Sequence, residues 1–110
     1  MARSGSLERV LIVGAGVAGE MLAKDLRIAN SVLYEPVAFL DDDPNKHGRE
    51  IEGIQVLGSC SELPRLAQEL HIELVLIAIP SATEEDMQQL VNYCEQAQVS
   101  YRTLPKDLQF

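Results

Sequence analysis

The 110 residues carry 17 acidic and 9 basic side chains, a formal net charge of −8, and 46% of them are hydrophobic. That length suits one domain, since domains most often run to about 100–150 residues, and it leaves no room for separate cofactor and substrate domains. The apolar fraction supports a packed core, and the negative charge would be repelled by phosphate backbones, which argues against nucleic-acid binding.

The first six residues, Met-Ala-Arg-Ser-Gly-Ser, read as a tag or a frayed terminus, with a single domain expected over residues 7–110. Leu7–Val13 ends in an apolar run closed by glycine, as a buried parallel strand does. From Val17 to Ala29 the period changes: Met21, Leu22, Leu26 and Ala29 fall near one helical face, and Asn30-Ser31 reads as the stop. Glu35–Leu40 is a second strand, followed by a polar, turn-rich stretch from Asp41 to Gly48. Ile51–Leu57 is a third, interrupted by Gly53. Ser59-Cys60-Ser61-Glu62 has the form of a capping box opening a helix that runs to about Leu70. Ile72–Ile79 is the most apolar segment and the natural central strand. Ser81-Ala82-Thr83-Glu84 caps a last helix with Met87, Leu90, Val91 and Cys94 inside, and Val99–Leu104 is a final strand. Strands alternating with helices predict an α/β fold: a five-stranded, doubly wound, Rossmann-like parallel sheet of order 3-2-1-4-5, covered on both faces in three layers.

Gly14-Ala15-Gly16-Val17-Ala18-Gly19 matches G-x-G-x-x-G between the first strand and the first helix. In that context Gly14 permits the turn, Gly16 lets a pyrophosphate approach the backbone, and Gly19 lets the helix pack on the sheet. The free amides and the helix dipole favour an anion. No G-K-[ST] follows, so a triphosphate loop of that kind is excluded. Asp41, ending the second strand, stands where a carboxylate accepts ribose hydroxyls of an NAD-type cofactor, with Asp42 beside it; Asp43 reads as a turn residue. The three together disfavour a 2′-phosphate. Ile79, Pro80 and Ser81 follow the central strand at the same sheet edge. Ser81 has two readings, a donor to phosphate or ribose and a helix N-cap.

Residues for catalysis are not evident. Tyr34, Tyr93 and Tyr101 have Ala38, Ala97 and Pro105 four positions on, so none has the lysine that short-chain dehydrogenase chemistry needs. Cys60 and Cys94 read as free thiols, His47 and His71 are isolated, and no four ligands converge for zinc. The acids Glu84, Glu85 and Asp86 suit a helix's first turn. No apolar run reaches the ~18 residues of a membrane helix and no apolar h-region follows the polar start, so a cytoplasmic chain without membrane contact of its own is expected.

The stretches RVLIVGAGVAGEMLAKDL, VAFLDDDPNKHGREIEGIQVLGS and LVLIAIPSAT, with the closing TLP, resemble the Rossmann-like domain of CapD-type epimerase/dehydratases of bacterial polysaccharide biosynthesis. The resemblance covers about Arg9 to Leu108. It implies an NAD- or CoA-binding-like module within a membrane-anchored parent whose separate catalytic domain acts on UDP-N-acetylhexosamines. It also implies nucleotide contacts at Gly14, Gly16, Gly19 and Asp41. NAD(H) is the expected ligand, with CoA or a UDP-sugar as alternatives. Two other readings stand beside it: the nucleotide-sugar-binding front half of a sugar O-acyltransferase, and a non-binding structural or self-associating module.

Overall fold

Along β1 (Glu8–Val13) alternate side chains enter two different cores. Leu11 and Val13 face one layer of helices and Val10 and Ile12 the other, all of them fully buried, as the two-residue period of a doubly covered strand requires. The computed structural model describes residues 7–29 and 33–104. The expectations for residues 1–6, for the stop at Asn30-Ser31 and for the domain's last stretch over 105–110 lie outside the described residues.

Helix α1 (Val17–Ala29) follows β1, then come β2 (Tyr34–Leu40), a 3-10 turn over Pro44–Lys46, and the pair β3 (Glu50–Ile51) and β4 (Ile54–Gly58). A second 3-10 turn, Cys60–Glu62, leads into α2 (Leu63–Glu69); β5 (Leu74–Ile77), α3 (Glu84–Ala97) and β6 (Ser100–Thr103) complete the described chain. The sheet order is β3-β4-β2-β1-β5-β6. All pairings are parallel except β3 with β4. The fold is therefore Rossmann-like α/β with α1 on one face and α2 and α3 on the other.

The expected order of five strands is present, but the sheet has six. Glu52 and Gly53 both take positive φ, 54° and 79°, which folds the third segment back on itself as a tight hairpin instead of one extended strand.

Three local expectations are also corrected. Met21 is 51% exposed, because the small Gly19 and Ala23 bring α1 onto the sheet along a stripe with Leu22 and Leu26, and Met21 falls on the far side. Val91 is only half-buried; α3 turns Met87, Leu90 and Cys94 inward with Tyr93 and Ala97 packed alongside. Ser59 makes no side-chain capping bond, so the expected capping box before α2 is not formed. The Asp42 carboxylate takes its place from across the chain, Oδ1 accepting from the Cys60 N–H at 2.9 Å.

The capping box of α3 does form, two residues later than Ser81: Thr83 Oγ1 accepts from the Asp86 N–H and Asp86 Oδ2 from the Thr83 N–H, each at 3.1 Å. Thr83→Ala removes the Oγ1 acceptor and leaves the Asp86 N–H without its cap, which is expected to lower stability by about 1 kcal/mol, read as a shift in the urea midpoint. Ser81 is thereby left outside the cap, exposed at the sheet edge.

Candidate functional site: a cleft at the glycine loop

β1 is flanked by β2 on one side and β5 on the other, so the direction of chain progress reverses at its carboxyl end. Crevices at such reversal points hold ligands in open α/β sheets. A cleft of about 720 Å³ opens there. Its walls include Gly14, Gly16, Val17, Ala18, Asp41, Asp42, Ile79, Pro80 and Ser81, nine of the residues expected from sequence. The other two do not line it. Ala15 is buried with its N–H already donated to Asp41 Oδ2 at 2.8 Å, and Gly19 faces the sheet.

The three glycines serve different ends. Gly14 has a φ of +106°, and a Cβ there would stand 2.5 Å from the Ala78 carbonyl oxygen. At Gly19 a Cβ would stand 1.8 Å from the carbonyl oxygen of Gly14. Both are demanded by the fold. Gly16 is not: its only neighbour would be Lys46 Nζ at 3.7 Å, ordinary contact across open space. Its carbonyl accepts the first helical bond, from Glu20 at 2.9 Å, which makes Gly16 the N-cap of α1. The N–H groups of Gly14 and Ala15 are spent internally, on Leu40 O at 2.7 Å and on Asp41. Those of Gly16, Val17 and Ala18 have no partner among the described residues, and all three residues line the cleft.

Asp41 ties the loop together. Oδ2 accepts from Ala15, Oδ1 accepts from the Asp43 N–H at 2.8 Å, and Lys46 Nζ lies 3.7 Å from Oδ2. Burial pushes this carboxyl up, but the two N–H donors and the Lys46 charge outweigh it and hold its pKa below the ordinary value. A carboxylate has about four lone-pair sites, so acceptor capacity remains for a ribose hydroxyl. Asp42, by contrast, already caps the turn before α2.

The opposite wall was not visible in the sequence pattern. Asp86, Gln89, Leu90 and Tyr93 share one side of α3 and reach the cleft with Cys60, Ser61 and Lys46. Their i, i+3, i+4, i+7 spacing is a helical signal, but Leu90 alone had the apolar character that marks an inward face. Burial, reinforced by Asp42, pushes the Cys60 thiol up to about 12, and burial pushes Cys94 to about 11, so both are protonated at neutral pH and neither is a ready nucleophile. No group of three or more His, Cys, Asp or Glu side chains converges as a metal site among the described residues. None of their helices is long and apolar enough to cross a membrane.

Residues 1–105 match the family described as the CoA-binding domain. The chain belongs to that family. The CapD-type resemblance holds as well. It is 37% identical over 97 residues to "Probable polysaccharide biosynthesis protein EpsC" of Bacillus subtilis, covering 88% of the chain and 16% of EpsC. It is 31% identical over 85 residues to capsular polysaccharide biosynthesis protein CapD of Staphylococcus aureus, covering 76% of the chain and 14% of CapD. The chain thus spans less than a fifth of either relative. Among solved structures, UDP-D-quinovosamine 4-dehydrogenase from Vibrio fischeri superposes with a TM-score of 0.83 at 34% identity, over 93% of this chain and 81% of that one. Membership in the CoA-binding domain family, a Rossmann-like fold and a cleft at its glycine loop together make this a nucleotide-binding type of module.

Proposed function

We propose that the chain is the NAD(H)-binding module of a nucleotide-sugar epimerase/dehydratase of bacterial polysaccharide biosynthesis, the chemistry lying in other parts of that protein. One observation carries the nucleotide reading. Gly16 is a glycine the fold does not need, beside three unspent amides at the start of a 13-residue helix, in a cleft large enough for a nucleotide. NAD(H) is preferred over CoA because Asp41, Asp42 and Asp86 line the cleft and oppose an added ribose phosphate, while Asp41 retains capacity for a hydroxyl. The similarity to EpsC, CapD and a UDP-sugar dehydrogenase supports the setting in polysaccharide biosynthesis.

Thermal melting with NAD+, NADH, CoA and a UDP-sugar tests this. NAD(H) at 100 times its Kd is expected to add about 2.7 kcal/mol of stability. Gly16→Val places a side chain in open space, so it is expected to fold with a loss of about 1 kcal/mol at the N-cap and to lose the ligand-induced shift. Absence of a shift with all four compounds at millimolar concentration defeats the ligand-binding reading; a shift with CoA alone replaces NAD(H) by CoA.

A further inference from the structure

We propose that Lys46 is the side chain that grips the ligand's diphosphate, and that it exchanges Asp41 for phosphate when the ligand enters. This deepens the nucleotide-binding reading and rests on it. The ligand class it defines is a nucleoside diphosphate unit whose ribose hydroxyls are free.

The backbone around Lys46 is fixed in place. Pro44 opens the 3-10 turn, Asp43 caps it by accepting from the Asn45 N–H at 3.0 Å, and the Lys46 N–H donates to Asp43 O at 3.0 Å. The Lys46 carbonyl accepts from Arg49 at 3.1 Å, and the His47 ring bonds the Asp41 carbonyl at 2.7 Å. A turn pinned at both ends fixes the Lys46 α-carbon beside the loop, and from there the ammonium lies over Gly16, 3.7 Å from where a Cβ would stand. That is the same side of the loop to which the Gly16, Val17 and Ala18 residues open.

The ammonium makes only a loose ion pair where it rests. Its distance to Asp41 Oδ2 is 3.7 Å, beyond the 2.7–3.2 Å of an N–H···O bond. Oδ2 is already bonded by Ala15, and at 3.7 Å the Lys46 contact is an ion pair without a short hydrogen bond. Three donors therefore remain, on a side chain only 30% exposed. Lys46 is also the one cation among the described residues lining the cleft, against Asp41, Asp42 and Asp86. A diphosphate held by the loop amides alone would face that acidic wall. With Lys46 opposite them, it gains a charge-assisted partner and Asp41 is released toward the ribose.

Calorimetric titration of ADP and adenosine into the wild-type chain, Lys46→Met, Lys46→Gln and Lys46→Arg tests the exchange. ADP affinity is expected to fall about tenfold or more in Lys46→Met and Lys46→Gln and to be largely retained in Lys46→Arg. Adenosine affinity is expected to stay within about twofold throughout, since a ligand without phosphate makes no use of the ammonium. Equal ADP affinity in wild type and Lys46→Met overturns the proposal while leaving the nucleotide reading intact. So does a parallel loss of ADP and adenosine, which marks a merely structural lysine. A wild-type chain that binds neither compound overturns both.

Discussion

Gly19→Ala is expected to destabilise the domain by about 3 kcal/mol or more, a large fraction of the about 5–15 kcal/mol typical of a folded domain. The new methyl would stand 1.8 Å from the Gly14 carbonyl oxygen, 2.9 Å from its carbon and 3.3 Å from the Phe39 ring. None of these can move aside cheaply. Gly14 is held by its N–H bond to Leu40 O at 2.7 Å, and its own α-carbon is backed by Ala78. Phe39 is fully buried between α1 and the sheet. The helix would have to lift, opening the layer formed by Leu22, Ala23 and Leu26 against β1, β2 and β5. Urea unfolding followed by circular dichroism measures the difference. A wild-type midpoint for Gly19→Ala would refute the close helix–strand contact. Gly16→Val, only three residues away, is expected to unfold within about 1 kcal/mol of wild type, because its side chain enters open space.

Asp41→Asn is expected to cost about 1–3 kcal/mol at neutral pH, although it preserves size and shape. Both carboxylate oxygens accept backbone N–H groups, from Ala15 and from Asp43. An amide has one oxygen and one NH2, so in either orientation a donor faces a donor. The ion pair with Lys46 is lost as well. The effect carries a pH signature. The folded-state pKa of Asp41 lies below its ordinary value, and an unfolded aspartate titrates near about 3.9. The carboxylate's contribution is therefore fully present above about pH 4 and is lost as pH falls through the folded value. The gap between wild type and Asp41→Asn is expected to be widest at pH 7 and to narrow below about pH 4. A gap independent of pH would show that the ionised form plays no part in holding the loop.

Much of this was legible in the amino-acid pattern. The bounds of α1, the parallel core strands and their order come from hydrophobic period and from glycine and proline punctuation, which report backbone geometry locally. The same is true of the glycine loop, since strand, turn and helix are contiguous there. What local pattern could not determine were interactions between residues far apart in the chain. The local pattern points to Ser59 as the cap of the turn before α2, whereas Asp42 supplies it, eighteen positions before the Cys60 N–H it accepts from. The pattern sets Met21 on the apolar face because it registers apolarity but not the closeness with which Gly19 and Ala23 seat the helix. The position of Asp41 at the end of β2 suggests a ribose acceptor, but does not show that its two oxygens also tie the loop to the next turn.

The sequence by itself determined that the chain makes a doubly wound sheet with an anion-seeking turn at its centre, because those features follow from periodicity and from contiguous backbone conformation. Only the tertiary structure decided which carboxylate is already engaged, which lysine faces the loop and which side of α3 closes the cleft. Those depend on distances across the sheet edge, where residues 16, 41, 46 and 86 meet without any regular spacing to announce it.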